Sequence, residues 1–248
     1  MRTPACFAAV VLLALGATAA WADGLLFQLP EDGTWARYDL EATMTRGDET
    51  RTAEGLIQMA SVGRVTEGDQ PCRWIEVRFE AKENRGGDGD QKSRVDVLVT
   101  KVLIPEKHLA KGEDPLKHAV RAWSKHQDRD QPKELKDPAN FERGPLPLVL
   151  AAPSKDQKEL EAVVVPSKAG DLACKGMEGK VEFHSDRVRT IKGTIETRLH
   201  PKAPFGTVSS HWALEMHDDG PSKVRKATLN LKLADFGTGA KSEMPGQK

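Results

Sequence analysis

The seven histidines and three cysteines are the side chains with most scope for chemistry, and their spacing decides how much they can do. His211 and His217 share one parity of an alternating stretch. Six residues of strand separate them by about 20 Å, whereas a shared metal ion needs ligands about 2 Å away. His108, His118 and His126 fall in a different part of the chain, and His118 reads as a surface residue beside an apolar stripe. Asp88-Gly89-Asp90 has the start of a calcium loop but lacks the later acidic ligands and the closing glutamate, so a hairpin turn accounts for it better. G-x-S-x-G, H-E-x-x-H, Walker A and dinucleotide glycine motifs do not occur. The 37 acidic residues are spread too evenly to single out a glycosidase pair. The expectation is a protein that is not an enzyme and needs no metal or cofactor, with an enzyme of unfamiliar kind as the outside alternative.

Compartment follows from the first residues. Arg2 precedes an apolar run from Phe7 to Ala20, and Ala20-Trp21-Ala22 places small residues where a signal peptidase reads, ahead of Asp23. Residues 1–22 therefore read as a signal peptide cut after Ala22, and the expected location is periplasmic or extracellular. Cys6 precedes the apolar core, unlike a lipoprotein cysteine, and no second apolar run is long enough to span a membrane. Cleavage leaves Cys72 and Cys174. An oxidising compartment favours a disulfide between them. Across 102 residues it would stabilise by about 4 to 5 kcal/mol through chain entropy. Two buried free thiols are the alternative. Neither belongs to a C-x-x-C pair.

Losing Arg2 leaves 36 basic against 37 acidic residues, a balance that offers no field for nucleic acid. At 5% the aromatics are too few for a stacking platform.

The elements that must position these residues are mainly strands. Ala36, Tyr38, Leu40, Ala42 and Met44 alternate with Arg37, Asp39, Glu41 and Thr43, as in a strand with one dry face and one wet face. The period of two recurs over 53–59, 72–82, 94–104, 179–183, 188–199, 206–217 and 224–236. Arg46-Gly47-Asp48, Glu67-Gly68-Asp69 and Asp218-Asp219-Gly220-Pro221 supply turns. Trp74 falls on the polar parity of its strand, beside Glu76 and Arg78; cover by a helix from residues 105–162 is the simpler explanation, and a ring exposed for binding is the alternative.

Residues 105–162 differ and read as a helical insert packed on one face. Asp114-Pro115 can open a helix over 116–126, with Leu116, Ala119, Val120 and Trp123 on one stripe. Ser154 and Gln157 form a capping-box pattern ahead of 155–162. Within the insert, Leu146, Leu148, Val149 and Leu150 form a strongly apolar, uncharged stretch that either completes the core or acts as a lid over an apolar concavity. Phe205, between prolines and a glycine, is a further candidate for ligand contact, with a rigid hairpin connection as the plainer reading. The tail 237–248 reads as disordered. The fold class is thus mainly β (α+β): one domain over 23–236, a curved antiparallel sheet or half-barrel carrying a helical insert.

As an order of elements over 34–236, this resembles the bacterial periplasmic half-barrels that carry lipoproteins or lipids, in which a curved sheet and a helical lid enclose an apolar cavity. The resemblance supplies no signature residue. Two functions stay open: an exported, non-catalytic interaction or structural module with a protein partner, or a periplasmic carrier of an apolar ligand such as a lipid or acyl chain.

Overall fold

The computed structural model describes residues 25–84, 95–109, 115–136, 155–185, 188–217 and 224–244. Eleven strands occur among them: β1 (Trp35–Arg46), β2 (Glu49–Glu67), β3 (Gln70–Asn84), β4 (Val95–Pro105), β5 (Arg121–His126), β6 (Lys133–Glu134), β7 (Lys155–Ser167), β8 (Gly170–Ser185), β9 (Val188–Leu199), β10 (Thr207–His217) and β11 (Val224–Gly237). They form one antiparallel sheet in the order β6-β5-β4-β3-β2-β1-β11-β10-β9-β8-β7. The sheet is curved and open. Two meanders, β1 to β6 and β7 to β11, thus meet where the first strand pairs with the last, Leu40 opposite Leu231 and Ala42 opposite Leu229.

Turn chemistry sets the registers. Gly68 and Asp69 both have positive φ, +53° and +65°, which is the type I′ geometry that matches the twist of the flanking strands β2 and β3. Midway along β2 a glycine lets strands approach: a Cβ on Gly55 would lie 2.1 Å from the Glu80 carbonyl oxygen of β3. Past Ser61 the β2–β3 register slips at a bulge carrying Gly63, whose φ is +146°.

Alternation places one set of side chains in the core. Tyr38, Leu40, Ile57, Met59, Ile75, Val77, Val102, Ile104, Leu231 and Leu233 form its floor. Its roof is built from segments outside the regular strands: Leu25 and Leu26 near the N-terminus, Leu109 and Leu116 after β4, and Ala203 and Phe205 between β9 and β10. Leu172 and Cys174, near the β7–β8 turn, join the same cluster.

The helical insert is corrected over its described part; residues 110–114 and 137–154 lie outside the described residues. Among the described residues, 105–162 hold two single 3-10 turns, Glu106–His108 and Pro115–His118, and the rest of their regular structure is strand. The stripe that suggests a helix is divided: Leu116 joins the core, whereas Trp123 packs with Trp74 on the other face. Ala122, fully buried opposite Val102, and the Val120 N–H donated to the Leu103 carbonyl (2.8 Å) hold the segment as a strand beside β4. Residues 155–162 belong to β7, where pairing with β8 and the β-branched run Val163, Val164 and Val165 outweigh any local helix signal. The tail is corrected over its described part: residues 237–244 are ordered against the sheet, and Met244 is 1% exposed.

Candidate functional site

Two regions gather side chains that could recognise something: the core face over β8 to β11, and the outer face of β3 to β5.

The first is apolar. Val181, Ile195, Trp212, Leu214, Met216 and Ala227 form a cluster separate from the main core, with Ile191 and Leu229 packed against it. Every member comes from the strands β8 to β11, whereas the main core draws its roof from elsewhere in the chain. The polar atoms nearby are satisfied. The Trp212 indole N–H donates to Ser210 Oγ at 2.8 Å, Ser210 and Thr197 hydroxyls lie 3.4 Å apart, and the Tyr38 hydroxyl donates to the Thr207 carbonyl at 3.1 Å. Burial pushes the Tyr38 phenol well above its ordinary range. A cavity of about 380 Å³ shares Val181 with this cluster and is lined besides by Lys155, Asp156, Lys180, Glu182 and Lys192, with Gly193 and Thr194.

The second region is mixed. Trp74, Cys72 and Leu103 are buried together, with Val62, Val65 and Trp123 against them. The Trp74 and Trp123 rings lie 5.2 Å apart between centroids, and the Lys101 ammonium sits 5.0 Å over Trp74. Trp74 is buried against side chains of the sheet itself, Trp123 of β5 and Val62 and Val65 of β2, and not by a helix. Glu76, paired across the ladder with Lys101, receives two hydrogen bonds from the tail: from Ser242 Oγ to Oε2 (2.6 Å) and from the Glu243 N–H to Oε1 (2.9 Å). Lys101 Nζ donates to the Met244 carbonyl at 3.3 Å, and Arg78 pairs with Glu243 at 2.6 Å. Glu76 and Lys101 are each 4% exposed. Burial lowers the Lys101 pKa, with Glu76 opposing.

A third polar knot is structural. Arg73 donates through Nε and Nη2 to Glu106 Oε1 (3.1 and 2.9 Å), and through Nη1 to Ser61 Oγ (2.9 Å) and the Pro30 carbonyl (3.1 Å). Arg64 reaches Glu106 Oε2 at 2.7 Å, and Asp32 accepts from Ser61 Oγ (2.9 Å) and the Gly63 N–H (2.8 Å). The knot fixes the bulge of β2 to the N-terminal segment. Burial works to raise the Glu106 pKa, but the two guanidiniums outweigh it and hold the carboxyl below its usual range.

The residues singled out in the sequence are placed as follows. Phe205 is fully buried in the main core, and its carbonyl accepts from the Phe27 N–H (2.7 Å) and the Gln28 N–H (3.1 Å). Leu146, Leu148, Val149 and Leu150 lie outside the described residues. Cys72 and Cys174 are free thiols and not a disulfide. Cys72 belongs to the cluster with Trp74 on the outer face and Cys174 to the main core, so the sheet itself stands between them. Burial pushes both thiols upward. His211 Nδ1 contacts Asn230 Oδ1 at 2.6 Å. The His108 and His118 rings stack at 3.5 Å with planes 6° apart, so their in-plane lone pairs do not converge on one ion. Among the described residues no three His, Cys, Asp or Glu side chains gather as metal ligands. Sequence reasoning missed the Glu76–tail contact; its one signal was that Trp74, Glu76 and Arg78 fall on one face of a strand.

No family model matches the chain, and no curated protein matches it. Solved structures similar to it include a candidate lipoprotein from Parabacteroides distasonis, at 12% identity and TM-score 0.31 over 87% of this chain and 100% of that one. A candidate exported protein with a YmcC-like fold from Bacteroides fragilis has 9% identity and TM-score 0.32 over 88% and 100%. LprF from Mycobacterium bovis has 12% identity and TM-score 0.27 over 84% and 89%. At these TM-scores and identities none of them bears on what this chain is or binds.

Proposed function

We propose that the chain is an exported, non-catalytic envelope protein that acts as an interaction or structural module. The observation that supports this most is the roofed core: Leu25, Leu26, Leu109, Leu116, Ala203 and Phe205, all from this chain, cover the floor around Tyr38. What remains for recognition is surface, including the sheet's end strand β7, where Val163 and Val164 are 40% and 64% exposed. An end strand carries unpaired backbone groups that another strand can join. Export is tested by cell fractionation and N-terminal sequencing, with Asp23 expected as the first residue. The module reading is tested by a photo-crosslinking residue at Val164, with one at Lys226 as the comparison. A discrete protein adduct specific to position 164 is expected, and adducts equal at both positions would count against it.

A second reading, a carrier of an apolar ligand such as a lipid or acyl chain, is favoured by the Trp212 cluster, to which no described segment outside the strands contributes. Delipidated protein would then take up a fluorescent fatty acid in proportion of about one per chain, and Trp212→Ala would weaken uptake. Failure of the delipidated protein to bind any such probe removes this reading and leaves the first.

A further inference from the structure

The outer face of β3 to β5 is built like a binding groove, and a piece of the same chain lies in it. Beyond β11 the backbone passes Gly239, which takes a φ of +82° with nothing within 4 Å of where its Cβ would stand. The Ala240 N–H then donates to the Gly33 carbonyl (2.8 Å), and Ser242, Glu243 and Met244 run onto the sheet. Each is recognised differently. The Ser242 hydroxyl and Glu243 amide share the two oxygens of Glu76, the Glu243 carboxylate meets Arg78, and Met244 is buried with its carbonyl against Lys101. Part of this is backbone hydrogen bonding to the ionisable groups of Glu76 and Lys101, and bonds to ionised groups are stronger than neutral ones. Arg78 is itself held by Glu80 at 2.6 Å, so it is aimed before the tail arrives. The groove also extends past the residues in it. A pocket of about 230 Å³ opens beside Glu243, lined by Arg78, Val97, Val99, Lys125, His126 and Gln127.

We propose that this face is a recognition groove for an extended Ser-acidic-apolar segment, and that the chain's own residues 242–244 are its resident, detachable ligand. This goes beyond both functional readings, neither of which assigns the outer face a ligand. The groove is a different surface from the Trp212 cluster and from the end strand β7.

The test uses the full mature chain and a fluorescein-labelled peptide with the sequence of residues 238–248. Hydrogen exchange of the wild type is expected to show the amides of 242–244 exchanging at least 100-fold faster than those of β3, because the segment lifts while the sheet stays folded. In the S242A/E243K chain, whose own segment is weakened, the peptide is expected to bind, as read by anisotropy. Adding Glu76→Gln is expected to weaken that binding tenfold or more. Arg78→Ala, on a partly exposed side chain, serves as a second groove variant that leaves the buried pair intact, and it too should weaken binding. Circular dichroism establishes that each variant is folded. The proposal is overturned if 242–244 are as protected as β3, or if the peptide binds no chain, or binds all of them equally.

Discussion

Glu106→Gln should destabilise the fold by about 3 kcal/mol at neutral pH. The carboxylate is 15% exposed and neutralises Arg73, which is 8% exposed, while Arg64 on its other oxygen is 60% exposed. The amide keeps one acceptor oxygen but turns an N–H₂ group toward a guanidinium, donor against donor, and leaves Arg73 charged in a buried setting. Breaking such a buried pair costs about 3 to 5 kcal/mol; the low end applies because Arg64 can turn to water and Arg73 keeps Ser61 and the Pro30 carbonyl. For a chain of this size the melting temperature should fall by about 6 to 12 °C. The pH dependence carries the sharper test. Because the folded carboxyl is held below its ordinary range, its contribution is complete above the pKa of the unfolded chain and is lost as pH falls through the lower, folded value. Urea midpoints of wild type and variant should therefore converge on acidification. Equal midpoints at pH 7, or a gap that persists unchanged to pH 3, would refute the reasoning.

Tyr38 is the single tyrosine of the chain, so alkaline absorbance at 295 nm reports it alone. No phenolate should form until the protein unfolds in base, and titration near the ordinary tyrosine value with structure intact would contradict its burial. In folded protein made without residues 1–22, neither Cys72 nor Cys174 should react with Ellman's reagent, both should react in denaturant, and reduction should leave the mass unchanged. A gain of two hydrogens on reduction would establish the bridge that the structure lacks. Gly55→Ala forces a Cβ onto the backbone of β3 and should cost about 1 to 3 kcal/mol or more, read as a lower urea midpoint; an unchanged midpoint would mean the two strands can separate there.

What was readable in advance was whatever depends on period two. The run from Ala36 to Met44 and that from Ala227 to Leu233 each declared a dry face, and the structure pairs them with each other. The helix over 116–126 failed because Leu116, Ala119, Val120 and Trp123 satisfy a helical spacing by accident; an open ladder on β4 captured the segment, and no local pattern records a distant partner. The tail misled for a similar reason. Small and polar residues look disordered in isolation, and their order here comes from Glu76, Arg78 and Lys101, more than 140 positions away. Phe205 was visible as a fixed aromatic, but its neighbours come from the N-terminal segment and the roof, so its burial could not be inferred from its own surroundings.

The seam between β1 and β11 has a consequence for the order of assembly. Among the described strands every other ladder joins strands consecutive in sequence, so those pieces can form as the chain becomes available. The seam must wait for the last strand, and with it Leu229, Leu231 and Leu233 reach their places opposite Ala42, Leu40 and Tyr38. Contacts so far apart in sequence are slow to form. A chain lacking β11 would be left with two half-sheets and two bare central margins, so the arrival of that strand, and not any earlier step, commits the sheet to its native order.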